Sequence, residues 1–100
     1  MASTIFILRS KNLSAGHAFE LEQRKALAEY GADARCGTIA RKSAYEVLTK
    51  NILSPEAATS FAKEVLNGGE THQHINTEDG PCGVIRIGRL EWLIFGRARA

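Results

Sequence analysis

His72 and His74 stand one residue apart, so in an extended chain both imidazoles point to one side, and Cys82 follows across a turn. With Cys36 or His17 they would supply the four ligands that tetrahedral zinc takes. Zinc sites usually carry a tight Cys-x2-Cys or His-x3-His pair, and this chain has neither. The plainer expectation is a polar strand face beside a loop, with no metal and no cofactor bound. Cys36 precedes an expected helix start, where the helix dipole stabilises a thiolate. A phosphate-gripping Cys-x5-Arg loop needs arginine at position 42. That residue is Lys42, with Arg41 one place early, so phosphatase chemistry is excluded and only a reactive thiol remains. The expectation for Cys36 and Cys82 otherwise is two reduced, partly buried thiols, since nothing in the chain looks like a secreted disulfide framework.

Catalytic signatures are missing. Gly-x4-Gly-Lys-Ser/Thr, Gly-x-Gly-x2-Gly, His-Glu-x2-His and Gly-x-Ser-x-Gly are all absent, and a lone Gly16 after the first strand cannot cradle a polyphosphate. The expectation is therefore a protein that binds and does not catalyse.

The basic residues fall in two zones. Arg35, Arg41, Lys42 and Lys50 surround an expected second helix, and Arg86, Arg89, Arg97 and Arg99 lie on the terminal strands. The stretch from Glu70 to Gly83 carries acids and no Lys or Arg. Merged in space, the two zones would form an anion-binding surface for a partner or for nucleic acid, with Arg35, Arg41, Lys42, Arg86, Arg97 and Arg99 as its residues. Two helices joined by 51–54 and followed by a hairpin are laid out like a winged helix-turn-helix. The would-be reading helix carries Lys63 alone as a base, against Glu56 and Glu64. DNA reading is therefore the alternative and not the lead.

These residues need elements to position them. One hundred residues at 44% hydrophobic and 24% charged, with a net charge of +2, describe one ordinary globular domain over residues 1–100. The longest apolar run, Trp92 to Phe95, is far too short to span a bilayer. The start, Met-Ala-Ser-Thr-Ile-Phe-Ile-Leu-Arg, reads as a strand and not as a secretion signal, which leads to an expected cytoplasmic location.

Ile5 to Leu8 is a continuous apolar run, expected as a strand covered on both faces and central in its sheet. Ser14 is expected to cap a helix that ends near Tyr30, with Gly31 as its stop. Thr38 is expected to cap a second helix bearing Ala40, Ala44, Val47 and Leu48. Ser54-Pro55-Glu56 opens a third with cap, preset φ and first-turn acid, which stops at Asn67-Gly68-Gly69. Thr71 to Asn76 is expected as a short strand and Thr77 to Pro81 as a turn.

From Val84 the chain is expected to form a hairpin about Gly88-Arg89, pairing Ile87 with Leu90, Arg86 with Glu91, Ile85 with Trp92 and Val84 with Leu93. The rival is one long strand from Val84 to Arg97. The expected fold is thus α+β: an N-terminal strand, three helices and a C-terminal antiparallel hairpin, with the helices on one face of a mostly antiparallel sheet.

Ile85, Ile87, Leu90, Trp92 and Ile94 would face the helices. Val84, Leu93 and Phe95 would lie on the other face, an apolar patch calling for a homodimer or another partner. The functional expectation is a small binding protein that occupies the surface of a protein or nucleoprotein complex. In format it is similar to bacterial or phage-borne regulators and inhibitors.

Overall fold

A computed structural model describes residues 3–30, 39, 42, 44–68, 70–78 and 80–99. It has strands β1 (Ser3–Lys11), β2 (Tyr45–Val47), β3 (Cys82–Gly88) and β4 (Glu91–Arg99), and helices α1 (Ala15–Tyr30) and α2 (Pro55–Leu66). The four strands form one mixed sheet in the order β1-β4-β3-β2, antiparallel except for the β2–β3 pair. The expectation of three helices on one face of an antiparallel sheet is corrected: there are two α-helices among the described residues, and they cover opposite faces.

That difference follows from the apolar strands. Phe6, Val84, Trp92 and Ile94 pack with Ala15, Ala18, Phe19 and Ala26 of α1. Ile85, Ile87, Leu93 and Phe95 pack with Ala58, Ala62, Val65 and Leu66 of α2. A strand with apolar residues on both sides needs cover on both sides. β1 shows the same pattern, with Leu8 toward α1 and Ile7 toward α2, yet it lies at the sheet edge and not at the centre.

The two helix starts form as their local chemistry dictates. Ser14 Oγ accepts from the His17 amide at 3.2 Å, and Ser54 Oγ accepts from the Ala57 amide at 3.1 Å. Both satisfy a donor that the first turn leaves unpaired. The buried side of α1 is mostly alanine, which lets the helix lie close to the sheet. Gly31 lies outside the described residues.

Where the expected second helix is described, over Tyr45–Val47, it is instead the strand β2; Thr38 and Ala40 lie outside the described residues. Ala44 and Leu48 bracket β2, the Ala44 carbonyl accepting from the Cys82 amide and the Leu48 amide donating to the Val84 carbonyl, each at 3.0 Å. Long-range pairing with β3 overrides the helical spacing of Ala44, Val47 and Leu48. With a strand and no helix leading into the 51–54 link, the winged helix-turn-helix layout is not formed there. The expected strand over Thr71 to Asn76 is a 3-10 turn, Gln73–Ile75, entered through His72 in the left-handed region at φ 56°.

The hairpin exists with a different register. Val84 pairs with Ile94, Ile85 with Leu93 and Arg86 with Trp92, after which a bulge brings Gly88 opposite Glu91. A slip of one residue moves side chains to the other face. Val84 therefore joins the α1 side while Leu93 and Phe95 join the α2 side. Gly83 is opposite Phe95, and a Cβ there would overlap the Phe95 ring, so this pairing requires glycine.

Candidate functional site: the hairpin end of the sheet

Val84, Leu93 and Phe95 are almost completely buried inside the chain's own core, so they present no apolar face to a partner. Of the residues expected to form the anion-binding surface, Lys42, Arg86 and Arg97 are described, and each is engaged by the chain's own carbonyl or amide oxygens. Lys42 is only 4% exposed. Its Nζ donates to the carbonyls of Thr77, Glu78 and Gly80 at 2.9–3.1 Å, pinning the loop ahead of β3. Arg97 donates to Asn76 Oδ1 at 2.8 Å and to the Leu66 carbonyl at 2.9 Å, closing the C-terminus of α2 where carbonyls lack helical partners. Arg86 donates to the carbonyls of Gly88 and Arg89 at 3.2 and 2.6 Å, and its guanidinium lies 5.5 Å from the Trp92 ring centre. Arg35 and Arg41 lie outside the described residues. Arg99 ends β4, where only its backbone is described.

The residues of the zinc expectation are not brought together. His72 packs on Phe61 with ring centres 5.7 Å apart, and His74 is bound to Glu46 Oε2 at 2.5 Å. The two imidazole centres are 6.2 Å apart. His17 Nδ1 is hydrogen-bonded to Ser14 Oγ at 2.8 Å, at the start of α1. Cys82 is buried in the α1-side core. Burial pushes its thiol up from an ordinary value of 9.0 to about 12, against a smaller opposing pull from the Lys42 charge, so it stays protonated and unreactive at neutral pH. Cys36 lies outside the described residues. Among the described residues, no group of three or more His, Cys, Asp or Glu side chains is placed to hold a metal ion.

An open surface among the described residues is at the other end of β3. The last residues of β1 and the β3–β4 turn form an open depression of about 470 Å³, lined by Lys11, Asn12, Leu13, Arg89, Leu90 and Glu91 together with Gly88. Its floor is held from three sides. The Asn12 amide donates to the Leu90 carbonyl at 2.9 Å, Trp92 Nε1 donates to the Asn12 carbonyl at 3.1 Å, and Arg86 holds the turn carbonyls.

On this floor Leu13 is 77% exposed and Leu90 48% exposed. Leu13 immediately precedes the Ser14 cap, a position that often packs back onto the first turn; here it points to solvent instead. Glu91 is taken by Arg9, with contacts of 2.7 and 3.0 Å to Arg9 nitrogens. Lys11 and Arg89 have no acidic partner among the described residues. The result is a fixed, shallow, cationic surface with two projecting leucines.

Comparison with known protein families, with curated proteins and with solved structures gives no match. Sequence reasoning missed this surface. The signals were available: a leucine beside a helix cap, and a leucine inside a hairpin turn, each an apolar residue where polar ones are the rule.

Proposed function

We propose that the protein is a non-catalytic binding module that holds an acidic, leucine-bearing segment of another protein at the hairpin end of its sheet. The observation that carries this reading is that Leu13 and Leu90 are exposed on one depression together with Lys11 and Arg89, cations that form no ion pair among the described residues. Apolar side chains on a pre-formed floor supply burial without a cost of ordering, and the cations select for acids and speed encounter. Such a module acts by occupying its partner's surface, as a regulator or inhibitor does. A reducing, cytoplasmic setting suits the free, protonated thiol of Cys82.

The test is an NMR titration with a helical peptide of leucine and glutamate, against one with lysine replacing each glutamate and against duplex DNA. The expected result is binding of the acidic peptide alone, weakened by salt, with shifts confined to residues 11–13 and 88–91 and lost in Leu13→Asp. Shifts elsewhere, or binding of DNA with a steep salt dependence, would refute the reading.

A further inference from the structure

The Asn12 amide donates to the Leu90 carbonyl, and β1 runs in continuous register with β4 from Ser3↔Arg99 to Lys11↔Glu91. In an antiparallel pair, hydrogen-bonding residues alternate. Thr4, Phe6, Leu8 and Ser10 therefore bond to β4, while the amides and carbonyls of Ser3, Ile5, Ile7, Arg9 and Lys11 point away from the sheet. β1 is the outermost strand on its side, and among the described residues none of these groups has a partner. The strand is nine residues long, with no proline and no bulge. Proteins normally blunt such an edge, because it is a template for another strand.

We propose that this edge pairs with the same edge of a second copy, antiparallel and centred on Ile7, to give a sheet continuous across a twofold dimer. The sequence of β1 is self-complementary in that register. Ile7 meets Ile7, Ile5 meets Arg9 and Ser3 meets Lys11 of the second copy, so every outward amide and carbonyl of the strand gains a partner. On the α1 side Phe6 meets Leu8 and Thr4 meets Ser10, apolar against apolar and hydroxyl against hydroxyl. No two like charges face each other, whereas centring on Arg9 would set the two arginines together.

Ile5, 43% exposed in the single chain, gains cover from the Arg9 stem of the second copy. The pairing shares only Lys11 with the peptide-binding surface, and it uses that residue's backbone. Because the strands run antiparallel, it places two such surfaces at opposite ends of the dimer.

Sedimentation equilibrium over a wide concentration range tests this, with hydrogen exchange followed on the same protein. The expected species has twice the 10.9 kDa chain mass. The amides of Ile5, Ile7 and Arg9 become protected as concentration rises, while those of Phe6, Leu8 and Ser10 are protected throughout.

Ile5→Lys sets a cation opposite Arg9 on both sides of the twofold axis and weakens association at least about tenfold. Ile5→Pro removes an amide that the fold itself does not use, so it abolishes the dimer while far-ultraviolet dichroism and Trp92 fluorescence stay native. A monomer at millimolar concentration overturns the proposal. So does a dimer that survives both substitutions, or one lost only on Val47→Lys, which would place the contact on the β2 edge. Because exchange is read on the unaltered chain, a variant that fails to fold leaves the test intact. Of the residues on which the peptide titration is read, Asn12, Leu13 and 88–91 lie outside the strand-edge contact, so the two proposals fail separately.

Discussion

Around the loop that enters β3, the ammonium group of Lys42 is buried on three carbonyl oxygens, while at the far end of the same strand Lys11 and Arg89 are exposed and form no ion pair among the described residues, the neighbouring Glu91 being held by Arg9. The charges are alike and their consequences are not. A buried cation ringed by carbonyls orders the loop that supplies them, and it is tied to that geometry. An unpaired cation beside projecting leucines is available to something outside the molecule. A count of basic residues along the chain cannot separate the two uses. Position in the sheet does.

The comparison can be broken most severely at the core that keeps both ends in place. Phe95→Asp would bury an unpaired carboxylate against α2 and is expected to cost more than about 4 kcal/mol, leaving no cooperative unfolding transition on heating. A folded variant would mean that Phe95 is accessible.

Lys42→Met keeps the bulk and removes the donors. It should cost about 3 kcal/mol in urea unfolding, because the three carbonyls lose their partner while remaining partly shielded from water.

The Cys82 thiol gives a pH signature on the Lys42 side. Its folded pKa is raised to about 12 from 9.0, so the unfolded chain loses this proton first. Its contribution to stability is complete below pH 9 and is lost as the pH rises from 9 toward 12. Cys82→Ala should flatten that part of a stability–pH profile, and an unchanged slope would contradict the burial. The smallest expected effect sharpens the contrast: Lys11→Glu and Arg89→Glu should each move stability by less than about 0.5 kcal/mol while removing the acidic peptide's affinity.

Local chemistry made part of this fold legible. Ser14 and Ser54-Pro55 announce helix starts through oxygens that accept first-turn amides, and that logic needs no tertiary context. Ile5 to Leu8 announces a strand with two covered faces, because four consecutive apolar residues cannot be hidden on one side. β2 was illegible because Ala44, Val47 and Leu48 satisfy a helical spacing, and only pairing with β3 decides against it.

The hairpin register misled through its charges. Arg86 opposite Glu91 looks like a cross-strand ion pair, yet Glu91 binds Arg9 on the other neighbouring strand while Arg86 curls onto the turn carbonyls. The bulge before Gly88 then moves Val84 to the opposite side from Leu93. The apolar surplus attributed to a missing partner is covered by α1 at Val84 and by α2 at Leu93 and Phe95. The hairpin-end surface depends on the meeting of residues 11–13 with 88–91, a contact that no local pattern encodes.

The division between inward and outward cations is tested most directly by nitrogen–proton NMR of the lysine ammonium groups at neutral pH. The Lys42 ammonium, held on the carbonyls of Thr77, Glu78 and Gly80, should give a sharp signal protected from solvent exchange, whereas that of Lys11 should be broadened away. A Lys42 ammonium that exchanges as fast as Lys11 would contradict the account.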